Sequence, residues 1–171
     1  WGDIHNVMLW TLLARDTLSE RDPANADIYA ANAVAYLQAL HELDDELDTL
    51  VETIPVENRL LVTNHDSFSY LAHRYGFEVI GTVIPAASTA AEPSAADVVA
   101  LIEVIEDSGI PAIFTENTIS DNVAHQIADE TGASIFRLYT GALSDEDGDA
   151  STYIDYMRYN VTTIVGALLS Q

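Results

Sequence analysis

The 171 residues are enough for one buried core, and 49% of them are hydrophobic, which excludes a disordered chain. Twenty-eight acidic residues face six arginines and no lysine, a formal net charge of −22, which argues against nucleic acid or an anionic membrane surface as partner. There is no cysteine, so disulfides and thiolate metal sites are excluded, and any metal must use His, carboxylate, backbone or water. The acids are spread along the whole chain, a pattern that reads as adaptation to high salt rather than as one cation-attracting patch. No apolar run reaches the length of a membrane span. The chain starts on Trp1 and reads as a piece of something longer, so the lack of a leader says nothing about compartment.

Ile4, Val7, Met8, Leu12 and Leu18 fall at helical spacing and predict a first helix over Ile4 to Leu18, punctuated by Asp22-Pro23. A second stripe predicts a helix from about Ala24 to Thr53: Ile28, Ala31, Ala35, Leu37, Leu40, Leu43, Leu47, Leu50 and Val51. At ~1.5 Å per residue this is a rod of roughly 45 Å, longer than a small domain needs and suited to bridging two lobes. Pro55 ends it.

The pattern then changes. Leu60–Thr63 reads as a short apolar strand, Ser67–Tyr75 as a helix closed by Gly76, and Phe77–Val83 as a strand. Glu92-Pro93-Ser94-Ala95-Ala96-Asp97 opens a helix that closes at Gly109, with Ser94 as N-cap and Asp97 three residues on. Pro111–Thr115 is a strand, Asp121–Thr131 a helix closed by Gly132, and Ser134–Tyr139 a strand. An acidic loop over Thr140–Ala150 leads to a final helix, Thr152–Leu169. This alternation predicts an α/β fold: a parallel sheet of about four strands with helices on both faces, preceded by the long helix.

The stretch Leu60-Leu61-Val62-Thr63-Asn64-His65-Asp66-Ser67-Phe68 carries the chemistry. An apolar strand stops at a polar Asn-His-Asp, which delivers His65 to the carboxyl edge of the sheet, where ligand sites form in open α/β folds. An imidazole there is a metal ligand or a loop residue bonded to backbone, and the residues alone leave the two readings level. Asp66 suits the positive end of the following helix. Glu116 ends another buried strand at the same edge. It is a direct ligand, a partner that orients an imidazole, or a loop cap, the last two ranking above ligation. His5, His41, His73 and His125 lie in helical patterns with no second His at i+4 and read as ordinary helix residues. Tyr153, Tyr156 and Tyr159 form a packing stripe. The Asp145–Asp149 run reads as a solvated loop, lacking the spacing and terminal Glu of an EF-hand. No nucleotide-binding glycine loop, nucleophile elbow or zincin motif is present.

Leu61-Val62-Thr63-Asn64-His65-Asp66-Ser67-Phe68-Ser69-Tyr70 resembles the "vTsHdaFgYf" motif of the cluster A-I substrate-binding proteins, the solute receptors of zinc, manganese and iron ABC transporters. Glu92-Pro93-Ser94 resembles the family's "EPS", and Phe114-Thr115-Glu116-Asn117 its "FvEn". Leu138 to Ser144 resembles "LysdaLs", and Thr152 to Asn160 resembles "tYldmMrhN". The matches keep the family's order and cover almost the whole chain.

The resemblance implies two α/β lobes joined by a long helix, with the metal between them. Trp1 corresponds to the tryptophan of the family's "PHvW", so residues 1–55 would be a helical segment with the interlobe helix, and 56–171 the C-terminal lobe. The N-terminal lobe, with two of the usual four ligands, would lie outside this chain. His65 corresponds to the third ligand. The fourth is usually an aspartate, and Gly141 stands at its position; Asp145, Glu146 or water would have to replace it. The implied function is extracytoplasmic capture of a divalent transition metal and its delivery to an ABC permease, with a lipid anchor of the parent protein as the one membrane contact. Without the aspartate, Zn²⁺ is favoured over Mn²⁺. No organic cofactor and no bond chemistry are implied. The alternative is a surface or interaction module that has lost metal binding; a hydrolase acting at the sheet edge is more remote.

Overall fold

The structure is a computed structural model and describes residues 1–84, 93–118 and 120–170. Helix α1 (Ile4–Arg21) is capped by Asp3, whose carboxylate accepts from the His5 N–H at 2.9 Å. It runs a turn beyond the expected end at Leu18, because the Asp22 N–H still bonds the Leu18 carbonyl at 2.8 Å. A 3-10 turn over Pro23–Asn25 separates it from α2 (Ala26–Val51). Helix α2 is therefore shorter than expected, roughly 39 Å at ~1.5 Å per residue. Its last turn tightens: Thr53 N–H bonds Leu50 O and Ile54 N–H bonds Val51 O, three residues back, ahead of Pro55.

The remaining elements alternate as expected: β1 (Leu60–Thr63), α3 (Ser69–Tyr75), β2 (Glu78–Thr82), α4 (Ala95–Ser108), β3 (Ala112–Glu116), α5 (Asn122–Thr131), β4 (Ser134–Leu138) and α6 (Tyr153–Leu169). All strands run parallel in the order β2-β1-β3-β4, with Thr63 opposite Phe114 and Phe114 opposite Phe136. Alternate residues feed two cores on the two faces of the sheet. Leu61, Ala112 and Phe114 join Ile4, Met8, Leu40, Leu43, Leu47 and the apolar stripe of α6. Val62 and Ile113 join Leu101, Ile105, Ala124 and Ile127 of α4 and α5. A sheet covered on both sides explains why its strands read as continuous apolar runs.

Local chemistry sets the boundaries. Ser94 Oγ accepts from the Asp97 N–H at 3.2 Å while Asp97 Oδ2 accepts from the Ser94 N–H at 2.9 Å, the reciprocal cap expected for α4; Glu92 lies outside the described residues. Gly76 closes α3 at φ 71°, a left-handed turn that a side chain would strain. At Gly81 a Cβ would fall 2.4 Å from Leu101 Cδ1, so the bare backbone lets α4 pack close on β2. Helix α3 starts at Ser69 rather than Ser67, because the Ser67 N–H turns back to the His65 carbonyl at 2.9 Å and Phe68, 2% exposed, plugs the core.

The far ends of the first two helices are less covered. In α1 only Ile4 and Met8 are buried, while Leu9, Trp10 and Leu13 are exposed; in α2, Ile28 and Val34 are exposed and the buried positions crowd from Leu40 onward.

Candidate metal centre

The backbone of Asn64 is still in the sheet: its N–H bonds Phe114 O at 2.9 Å and its carbonyl accepts from Ile84 N–H at 2.8 Å. His65 is therefore the first residue to leave the sheet at its carboxyl edge. Its carbonyl is held by the Thr63 hydroxyl at 3.0 Å and the Ser67 N–H at 2.9 Å. The Asn64 amide donates to Ser120 O at 3.2 Å and ties this corner to the loop before α5.

Glu116, the last residue of β3, lies against it and is 1% exposed. Glu116 Oε1 bonds His65 Nδ1, and Glu116 Oε2 accepts from the Thr140 hydroxyl at 2.7 Å. An ionised carboxylate only accepts, so opposite it Nδ1 is the donor, and in a neutral ring Nε2 then keeps its lone pair. Both carboxylate oxygens of Glu116 thus have partners, one the imidazole and one the Thr140 hydroxyl. The structure thus brings together the two residues expected at the edge, His65 and Glu116.

Thr140 is itself fixed. Its N–H donates to Asn117 Oδ1 at 3.1 Å, and the preceding Tyr139 exchanges two bonds with the Asn160 amide, both 2.9 Å. Asn160, on α6, is fully buried. Thr140, Asn117 and Asn160 have no role legible in the sequence, although each falls in a stretch that carries the resemblance. Their pairing across 21 to 24 residues has no local periodic signal.

A cleft of about 530 Å³ opens over His65 and Glu116, walled by Trp1, Asp66, Tyr70 and Gly141 among others. A recess of about 270 Å³ adjoins it, sharing Trp1, Thr140 and Gly141 and walled further by Leu143, Tyr153 and Tyr156. The Tyr153 hydroxyl donates to the Trp1 carbonyl at 2.9 Å. Burial pushes the Tyr156 phenol up to about 12 and the Tyr153 phenol higher still. The tyrosine stripe thus divides: Tyr153 and Tyr156 wall the recess, while Tyr159 packs edge-on to Tyr139 at 5.1 Å.

A Cβ built on Gly141 meets no atom within 4 Å, so nothing occupies that position. Asp145 and Glu146 are exposed and line neither space, so neither takes it. Among the described residues no group of three or more His, Cys, Asp or Glu gathers to hold a metal.

The other histidines lie elsewhere. His41, His73 and His125 are exposed on helices, as expected. His5 is more than an ordinary helix residue: its Nε2 is 3.0 Å from Asp44 Oδ2, in a cluster where Asp44 also meets Arg74 at 2.6 Å and the Tyr75 hydroxyl at 3.1 Å. Arg74 forks onto Asp48 as well, at 3.0 and 2.7 Å. This cluster joins α1, α2 and α3 and does not contact the cleft of His65.

The chain is similar to known proteins over almost its whole length. The chain is 36% identical over 169 residues to the manganese-binding lipoprotein MntA of Halalkalibacterium halodurans, covering 98% of this chain and 56% of that protein. It is 38% identical over 165 residues to the iron-binding protein YfeA of Yersinia pestis, covering 96% and 52%. The manganese-bound structure of a mutant periplasmic metal binding protein from Candidatus Liberibacter asiaticus superposes with a TM-score of 0.86 at 35% identity, over 98% of this chain and 62% of that one. The periplasmic zinc binding protein TroA of Treponema pallidum gives 0.84 at 31%, with the same coverage. The chain spans about half the length of the curated relatives it matches. The family described as ZnuA, zinc-uptake complex component A, periplasmic, matches residues 1–167, and this chain belongs to that family.

Proposed function

We propose that this chain is the C-terminal lobe of a receptor that captures a divalent transition metal outside the cytoplasm and hands it to an ABC permease. Its role is binding, with no catalysis. The observation that carries this reading is the His65–Glu116 pair: a buried carboxylate meets Nδ1 of an imidazole that lines the cleft, the arrangement that orients a metal-binding histidine. Relatives named for manganese, iron and zinc support a transition metal as cargo. Zinc is favoured over manganese, because the donor held in place is an imidazole and the position at Gly141 carries no carboxylate.

Residues 56–171 form the metal-binding lobe in this reading, and residues 1–55 carry the connection to a second lobe that supplies the remaining ligands. Leu9, Trp10, Leu13, Ile28 and Val34 support it: two helices that expose large apolar side chains present a surface for a further layer of protein. The parent protein sits in the periplasm or on a lipid anchor at the outer face of the cell membrane.

Titration of the whole receptor with zinc against a competing chelator tests the proposal. A one-to-one site lost in His65→Ala supports it; a His65→Ala variant that binds like wild type refutes it. The second reading is an interaction module that has lost metal binding, favoured by the open position at Gly141. It predicts no metal site in the wild-type receptor at all.

A further inference from the structure

We infer that Asn160, on α6, is a positioning residue for His65, acting through the backbone of Tyr139 and the hydroxyl of Thr140 on Glu116. This rests on the metal reading of His65.

Strand β4 stands last in the order β2-β1-β3-β4, so it pairs on one side only. Its final residue, Leu138, still bonds toward β3: its carbonyl accepts from the Asn117 N–H at 3.1 Å. The next residue, Tyr139, has no strand to bond, and Asn160 meets both of its backbone groups. Asn160 Oδ1 accepts from the Tyr139 N–H and Nδ2 donates to the Tyr139 carbonyl, each at 2.9 Å. The side-chain amide thus does for Tyr139 what the peptide group of a further strand would do. Asparagine is a poor former of helix interiors, and a buried amide is costly unless bonded. Asn160 is fully buried within α6, where Met157, Val161 and Ile164 already carry the packing. What the amide adds there is a fixed position for Tyr139.

Fixing Tyr139 fixes Thr140. The Thr140 N–H donates to Asn117 Oδ1 at 3.1 Å, and its hydroxyl donates to Glu116 Oε2 at 2.7 Å. A hydroxyl has one proton to give. With that proton on Glu116, the Thr118 hydroxyl, 3.3 Å away, is the donor to Thr140. The hydroxyl bonds therefore run one way, into the carboxylate whose other oxygen meets His65 Nδ1. Thr140 and Glu116 are both buried, so water is a poor substitute for a partner lost between them. A displaced Tyr139 carries the hydroxyl away from Glu116 and frees the carboxylate to turn, and the imidazole with it.

The test uses the whole receptor. Zinc affinity is measured against a competing chelator, and the His65 ring nitrogens are followed by NMR at a pH where the ring is neutral. In the metal-free wild type the ring should be a single tautomer with its proton on Nδ1. Asn160→Asp keeps the size and the acceptor for the Tyr139 N–H but loses the donor to its carbonyl; Asn160→Ala loses both and adds no charge. Each should weaken zinc binding about tenfold, the low end for a partner behind a metal ligand, and mix the two ring tautomers. Arg158→Ala, which loses the bonds of the same helix to Glu46, should change neither. Thr140→Val should weaken zinc binding to a similar degree, and Asn160→Ala added to it should cost no further affinity, because the route is already cut. A folded Asn160 variant with wild-type affinity and ring signals overturns the inference, as do losses that add in the double variant. Two results overturn it without any Asn160 variant: mixed tautomers in the wild type, or wild-type affinity in Thr140→Val. A His65→Ala receptor that binds zinc like wild type removes the metal reading and the inference with it.

Discussion

Glu116 grips the ring of His65 across the boundary between β3 and β1, 51 residues apart in sequence. Parallel pairing makes this possible: Thr63 lies opposite Phe114, so each chain leaves the sheet at the same edge within two residues of that pair. The carboxylate is 1% exposed and is braced on its other oxygen by Thr140. A braced, buried acceptor sets the ring's tautomer before any metal arrives, which lowers the cost of ordering the ligand on binding.

The first prediction ranks the site residues. In the whole receptor, His65→Ala should abolish measurable zinc binding by this lobe. Glu116→Gln should weaken it about 10–100-fold, since the amide no longer holds the imidazole as a charged acceptor does. Asp145→Ala, in the exposed loop, should match wild type. Competition titration orders the three; loss of binding in Asp145→Ala with His65→Ala intact would move the site to the acidic loop.

Thr140 should matter to stability more than its size suggests. Thr140→Val keeps the volume but removes the hydroxyl that donates to Glu116 Oε2 in a setting 7% exposed. An unpaired buried charged acceptor costs about 1.5–3 kcal/mol, so the urea midpoint should fall accordingly. Thr140→Ser, which keeps the hydroxyl, should recover most of the loss.

The Asp44 cluster makes a contrast inside one helix. Asp44 has an 8% exposed side chain and meets Arg74, His5 and the Tyr75 hydroxyl; Asp48, at 45%, meets Arg74 alone. Asp44→Ala leaves Arg74 without its buried partner and should cost about 3 kcal/mol. Asp48→Ala removes a solvent-screened contact and should cost under about 1 kcal/mol. Equal losses in chemical denaturation would show that the burial difference does not govern the cluster.

Salt should stabilise the fold. With 28 acids and six arginines, self-repulsion opposes the compact state. Screening shortens from ~8 Å at 0.15 M to ~3 Å at 1 M. Few attractive pairs are lost in exchange: Arg15, Arg137 and Arg158 hold surface partners, each pair worth ~0–1 kcal/mol. The melting temperature should therefore rise in molar KCl over dilute buffer. A flat or falling melting temperature would refute the reading of the acidic surface as a salt adaptation.

Much of this protein was legible from short-range chemistry. The step from helical to strand spacing after Pro55, the Ser94 and Asp97 cap of α4, the left-handed Gly76, and His65 at the point where an apolar strand turns polar are all properties of a few neighbouring residues. Such properties survive folding because helix ends and strand ends must satisfy their own backbone groups locally. The sequence by itself therefore determined the α/β alternation, the parallel sheet and the edge at which the imidazole stands. Only the tertiary structure set Glu116 between His65 and Thr140, because that turns on Thr140, 24 residues on, meeting its second oxygen. It alone joined His5 to Asp44, sent Tyr153 and Tyr156 to the recess and Tyr159 to Tyr139, and put Asp145 and Glu146 outside the cleft. Periodicity assigns a residue to a face; which atom meets it there depends on how distant segments pack, and no local pattern encodes that.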